Sequence, residues 1–354
     1  MTSTYGQAGV KTTEELRDFP RMLDILRDTF AHRPAGAGNA VLDFGFYANV
    51  LDLGNDVGLA ITTDGVGTKM IIAQILDKYD TVGIDCIAMN VNDIVCVGAE
   101  PISMTDYIAV EHADGRLLSE LALGLARGAE LAHINIPGGE IAQVRDMVRG
   151  VDLVGTCVGT VAVSKVLSGK DVEPGDAIVG FASSGIHSNG LTLAREALLG
   201  EHTSRLNTHI AELGRTLGEE LLEPTTIYVD LAMMLLRNHG VRAMAHITSE
   251  GFLNLCRIDS PVGFDIEILP AVPSIFDMIA KEGSIPLEEM YLIYNMGIGF
   301  IAILPEAAAA ASIEAAASLG IEAWRLGTCT DDPDKIVRVR PLGLKSQGGH
   351  FVRN

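Results

Sequence analysis

The sequence has no C-x-x-C pair, and its five cysteines, Cys86, Cys96, Cys157, Cys256 and Cys329, are scattered and odd in number. Neither a disulfide framework nor a zinc site is indicated, and a reducing cytoplasm is the compartment that fits. No run of lysine or arginine interrupts a formal net charge of -20, so a nucleic-acid backbone or an anionic membrane would be repelled overall. No apolar stretch approaches the roughly 18 residues that span a bilayer, and Met1 to Tyr5 begin no basic-then-apolar leader. Also missing are G-x-x-x-x-G-K-S/T, G-x-G-x-x-G after a strand, H-E-x-x-H and G-x-S-x-G, the commonest nucleotide, zinc and serine-nucleophile signatures. None of the nine histidines stands four residues from a second His or Cys, which argues against a transition-metal site.

What is present is a globular composition, 48% hydrophobic and 20% charged over 354 residues, long enough for two domains of roughly 150 to 200 residues each. Strands and helices alternate without internal repeats, the pattern of an α/β or α+β protein with two layered domains. Apolar runs predict strands over 57–63, 102–110, 151–163, 177–182, 262–268 and 297–304. Helices are expected over 81–97, 117–132, 191–199 and 224–238, with an alanine-rich one after Leu304. An N-terminal helix and an Ala/Gly-rich mobile segment would occupy residues 1–35 and a first domain residues 36–165. After the polar break S-G-K-D-V-E-P-G-D, a second domain would fill 172–340, and 341–354, which lacks periodicity, reads as a flexible tail.

Four segments could carry chemistry. In Thr63-Asp64-Gly65-Val66-Gly67-Thr68-Lys69, Asp64 offers hard oxygens to magnesium, the glycines let backbone amides approach phosphate, and Lys69 supplies a point charge. Taken alone it is equally a turn with a solvated lysine. In the helix over 81–97, Asn90 and Asp93 share one face, and a buried Asp93 should meet a cation, a donor or water. Pro137-Gly138-Gly139-Glu140 would project Glu140 from a tight glycine turn; Asp64, Asp93 and Glu140 together make a sensible set for a divalent metal. Ser183-Ser184-Gly185-Ile186-His187-Ser188-Asn189-Gly190, between a strand and a helix, presents hydroxyls, amides and side chains fit for a phosphate or a polar substrate.

In order and spacing, TDGVGTK, VNDIVCVGAEP with Asp106-Tyr107, PGGE, SSGIHSNG, EPTTIY and YNMGIGF resemble the aminoimidazole ribonucleotide synthetase family, from about Tyr5 to about Gly327. The resemblance implies that ATP and formylglycinamidine ribonucleotide give aminoimidazole ribonucleotide, ADP and phosphate. It also implies a homodimer whose N-terminal domains pair into a β-barrel beside C-terminal α/β domains. Carried over position by position, Asp64, Gly65, Gly67, Thr68, Lys69, Asn90, Asp93 and Asp106 would hold nucleotide. Asp64, Asp93 and Glu140 would hold magnesium; Gly138, Gly139, Ser184, His187, Ser188 and Asn189 would face substrate; and Lys69 and His187 would be catalytic.

Two segments depart from the family pattern. Glu250 in Thr248-Ser249-Glu250-Gly251 replaces a glycine, and a carboxylate there would weaken phosphate binding unless a metal or cation intervenes. The segment L-D-F-G-F-Y-A-N-V lacks the usual double glycine. The alternatives to the cyclo-ligase are another ATP-using member of the superfamily, similar to thiamine-phosphate kinases or selenophosphate synthetases, and a nucleotide-binding paralogue without turnover.

Overall fold

The computed structural model describes residue 6 and residues 19–353. Of the N-terminal helix and mobile segment expected over 1–35, residues 1–5 and 7–18 lie outside the described residues. Helix α1 (Phe19–Arg27) follows, with no buried side chain.

Six strands build the first sheet: β1 (Asn39–Ala40), β2 (Asn49–Asp52), β3 (Val57–Gly65), β4 (Glu100–Val110), β5 (Gly139–Gln143) and β6 (Val151–Ala162), in the order β1-β2-β3-β6-β4-β5. Only β4 and β5 run parallel. Helices α2 (Lys69–Leu76), α3 (Val82–Cys96) and α4 (Gly115–Ala132) belong to the same half. Along β3 and β6, burial alternates residue by residue, because side chains of successive residues point to opposite faces and only one face is covered. The cover is α3, buried on nearly all sides: of its fifteen residues only Ile84 and Asp93 are not fully buried. A helix buried on nearly every side must sit between layers, and α3 packs against both the first sheet and the second half of the chain.

The second half holds β7 (Ala177–Ala182), β8 (His209–Ile210), β9 (Arg215–Thr216), β10 (Ala243–His246), β11 (Gly263–Ile266), β12 (Ile298–Leu304), β13 (Ala323–Thr330), β14 (Val337–Val339), β15 (Leu344–Gln347) and β16 (His350–Arg353). All but the small β8–β9 pair form one sheet, in the order β10-β12-β7-β13-β11-β14-β15-β16. Its central strands β7 and β12 are continuous apolar runs and are buried almost throughout. Helices α5 (Leu191–Leu198), α6 (Leu217–Leu221), α7 (Val229–Asn238), α8 (Ser274–Glu282), α9 (Leu287–Ile293) and α10 (Ala309–Ser318) complete this half.

Three expectations need correction. The helix predicted from Pro224 starts only at Val229, because the preceding residues are tied to α3: Thr225 to Asp85, and Thr226 and Tyr228 to Asn92. Glu140 lies in strand β5 rather than on a turn. Of the tail expected over 341–354, the described residues 341–353 are not flexible, since β15 and β16 pair as a hairpin on the edge of the second sheet, with Leu344 and Phe351 buried. Gly348 and Gly349 link Gln347 to its partner His350 with φ of +54° and +72°, the sign that a two-residue primed turn requires at both positions. The hairpin walls a cavity of about 500 Å³ whose lining includes Glu250, Leu253, Cys256 and Lys335.

Candidate functional site

Register places Asp64, Gly155, Asp106 and Gly139 in one row across β3, β6, β4 and β5, so both carboxylates face the α3 side. The two glycines make this possible. A Cβ on Gly139 would lie 1.6 Å from Asp106 Oδ1, and one on Gly155 would lie 2.9 Å from Asn90 Nδ2. The Asp64 carboxylate folds back to accept from the Gly65 amide at 2.7 Å. Burial, and next the neighbouring charge of Asp93, push its pKa up to about 6; burial also raises that of Asp106. Crowded carboxylates that resist ionisation are groups a bound cation would relieve.

Asn90, proposed for nucleotide, is committed elsewhere. Its side chain is fully buried, accepts from the Asp64 amide at 3.1 Å, and donates to the Asp64 and Cys86 carbonyls. It pins strand β3 to helix α3. Asp93, on the same helix, meets His246 at the end of β10, with Oδ1 2.9 Å from Nδ1. His246 was not among the sequence candidates. The available signal was its position, a histidine closing a short apolar strand just before the T-S-E-G turn.

Lys69 departs furthest from its expected role. Its side chain is 0% exposed, and Nζ donates to Asp85 Oδ1 at 2.9 Å and to the Glu223 carbonyl. Asp85 Oδ1 also accepts from the amide and hydroxyl of Thr225, at 2.8 and 2.6 Å. Breaking such a sealed pair costs about 3–5 kcal/mol, so the ammonium is not a mobile charge for phosphate. Two amides of the turn are likewise taken: that of Gly65 by the Asp64 carboxylate, and that of Val66 by the Leu153 carbonyl. Gly67 turns with φ +70° and Thr68 Oγ1 lies 2.9 Å from Thr192 Oγ1, bringing this turn against the 183–190 turn.

That second turn is held from within. His187 is 2% exposed, and its Nε2 accepts from the amides of Ser184 at 3.3 Å and Thr226 at 3.4 Å. The proton therefore belongs on Nδ1, which is buried without a partner among the described residues. Burial, then His246 and Lys69, hold the ring well below the usual histidine pKa and so neutral. Ser184 Oγ donates to the Pro224 carbonyl at 2.5 Å, Ser188 Oγ is buried, and Asn189 is half-buried with Nδ2 4.0 Å from Met89 Sδ. His187 and Ser184 thus brace the loop and do not reach out of it. Asn295, missed in the sequence, anchors the loop from Y-N-M-G: its amide donates to the Gly185 and Ile186 carbonyls, and its Oδ1 accepts from Ser183 Oγ and the Gly297 amide.

The expected metal triad does not gather. Glu140 pairs in register with Tyr107, one residue along from the Asp106–Gly139 row, so its side chain points to the opposite face of the sheet from Asp64 and Asp106. Among the described residues, no three His, Cys, Asp or Glu side chains stand close enough to hold a metal. Gly138 is open, with no atom within 4 Å of an added Cβ. Glu250 takes φ +78°, a left-handed conformation that suits glycine, and its carboxylate stands 3.5 Å from Arg257. The Arg257 guanidinium in turn lies over Tyr47 at 5.0 Å, so Arg257 links the two segments that depart from the family pattern.

Residues 45–161 match the model for the N-terminal domain of AIR synthase related proteins, and residues 173–340 match that for the C-terminal domain. The phosphoribosylformylglycinamidine cyclo-ligase of Thermococcus gammatolerans is 44% identical over 347 residues, 97% of this chain and 99% of that one. That of Pyrococcus furiosus is 44% identical over 334 residues, 94% and 97% of the two chains. Among solved structures, AaThiL complexed with AMPPCP and TMP aligns with a TM-score of 0.65 at 16% identity, covering 94% of this chain and 96% of that one. Hydrogenase maturation protein HypE in complex with ATP aligns at 0.57 and 18%, covering 79% and 81%. Those two share the fold alone. No described helix is long and apolar enough to cross a membrane. With relatives this similar along nearly the whole of both chains, the chain belongs to the phosphoribosylformylglycinamidine cyclo-ligase family of enzymes.

Proposed function

We propose that this protein uses ATP to close the ring of formylglycinamidine ribonucleotide, releasing aminoimidazole ribonucleotide, ADP and phosphate, as a cytoplasmic homodimer. The observation that carries the reading is end-to-end identity of 44% with named cyclo-ligases. An amide-like oxygen leaves poorly, so its phosphorylation by ATP precedes attack of an internal amine, which expels phosphate. Positioning and charge stabilisation carry most of such a reaction.

Asp64 and Asp93 fit a magnesium ion shared with the phosphates of ATP, because burial, and next the charge of Asp93, raise the Asp64 pKa to about 6 and magnesium binds through one or two carboxylates plus phosphate. The ion would neutralise phosphate charge and orient the transferred group. Asp106 adds a third carboxylate on that face. His187 keeps the 183–190 turn in shape with a neutral ring, and Asn295 holds the turn's carbonyls. Support for the dimer comes from the uncovered face of the first sheet, where Val57, Ile61 and Tyr107 are 46%, 36% and 43% exposed. Two such faces, packed together, would close a barrel, and Glu140 would then line the interface.

Purified protein supplied with ATP, magnesium and formylglycinamidine ribonucleotide should yield an aromatic aminoimidazole detectable by diazotisation, with one ADP per product. Absence of product across pH and potassium conditions would reject the reading. Phosphorylation of thiamine phosphate in a parallel assay would replace it with the kinase alternative.

A further inference from the structure

Lys69 sits in the turn that resembles a phosphate-binding motif, yet none of its side chain reaches solvent. Its ammonium lies between the Asp85 carboxylate and the Glu223 carbonyl. Arg215 braces the outside of the same segment through Glu220 and Glu223. The second Asp85 oxygen is buried without a partner among the described residues, so Lys69 is the cation that balances this carboxylate. Drawing Lys69 out to meet a nucleotide would strand a buried charge and a buried carbonyl together, which is strongly disfavoured.

From Asp85 the bonding continues. Asp85 fixes Thr225 by two hydrogen bonds, the next amide, Thr226, donates to His187 Nε2, and Ser184 Oγ ties Pro224 back to the 183–190 turn. We propose that Lys69 is a positioning residue: through Asp85 and the Glu223–Thr226 segment it sets the ring tautomer of His187, and with it the shape of the 183–190 turn, without touching nucleotide. Three segments from distant parts of the chain converge on one sealed lysine, and a glycine-flanked turn places that lysine at the first residue of α2. The His187 backbone, at φ +65°, is a conformation that persists only where its surroundings over-determine it. The bonds to Ser184 and Thr226 supply that constraint.

The kinetic arm of the test rests on the cyclo-ligase reading, and the spectroscopic arm does not. Lys69→Met alone leaves Asp85 unpaired and can fail to fold, so the informative protein is Lys69→Met/Asp85→Asn, which empties the site of charge. Lys69→Arg serves as the second variant, since its charged fork does not fit the space of an ammonium. We expect the affinity for a non-hydrolysable ATP analogue with magnesium, measured by calorimetry, to stay within about threefold of the parent. We expect kcat to fall at least tenfold, and the His187 ring nitrogens, in long-range nitrogen–proton spectra, to lose the pure Nδ1-protonated pattern. A tenfold or larger loss of analogue affinity would place Lys69 on the nucleotide and overturn the proposal. So would an unaltered His187 pattern in both variants. If the parent itself turns over no formylglycinamidine ribonucleotide, the reaction is misassigned, and the His187 spectra still decide the role of Lys69.

Discussion

His246 Nδ1 stands 2.9 Å from Asp93 Oδ1, joining β10 of the second half to α3 of the first across 153 positions of sequence. A carboxylate only accepts, so the ring carries its proton on Nδ1 when Asp93 is ionised. The pair aims the carboxylate of α3 that faces Asp64, as a ring donor commonly orients a ligand oxygen.

His246→Ala should therefore do more than remove a ring. Loss of a buried hydrogen bond to a charged group costs about 1.5–3 kcal/mol, measurable by urea denaturation. With Asp93 no longer aimed, KM for magnesium-ATP should rise severalfold more than KM for the ribonucleotide. Equal changes in both would mean that the pair only supports the fold.

Asp64 makes ligand-free stability depend on pH. Its folded pKa, about 6, lies above the ordinary value of 3.8, so the native state holds this proton more tightly than the unfolded chain. Stability from the proton is fully present below about pH 4 and is lost as pH rises towards 6, by up to about 3 kcal/mol at 1.36 kcal/mol per unit. Asp64→Asn should thus raise the Tm of the ligand-free protein at pH 8 by several degrees and change it little at pH 4, while abolishing magnesium-dependent nucleotide binding. A pH-independent shift in calorimetric scans would remove Asp64 from this role.

Glu250→Gly exchanges strain for freedom. A side chain at φ +78° costs roughly 1 kcal/mol that glycine does not, and the lost contact with Arg257, a partly exposed pair, contributes less than about 1 kcal/mol. Net stability should move by no more than about 1 kcal/mol. With the internal anion gone, inorganic phosphate should inhibit the enzyme severalfold more strongly. Unchanged inhibition would show that Glu250 does not guard the turn.

Strands such as Ala177–Ala182 and helices such as Val82–Cys96 could be read closely from the sequence, because continuous apolar runs and buried periodicity state their own packing. The closing hairpin was less legible. Its arms carry only Leu344 and Phe351 as buried apolar residues, and the signal that could have found it was Gly348-Gly349 between two four-residue arms. In the site, the acids were visible one by one, but their partners were not. Lys69 meets Asp85 and the Glu223 carbonyl, and Asp93 meets His246, through pairings up to 154 residues apart. A lysine after glycines looks the same on paper whether it reaches for phosphate or is sealed under a second domain.

The seam between the halves has a consequence for building chimeras. Asn92 donates to the Thr226 carbonyl and accepts from the Tyr228 amide, and Asp85 with Lys69 clamps residues 223 to 225. Grafting the front of one relative onto the back of another at the polar break near residue 168 would separate every one of these donors from its acceptor. Such hybrids should assemble only where both parents carry the same lysine, aspartate and asparagine opposite the same threonines, which makes the crossover point a matter of matched bonding rather than of where the chain looks loose.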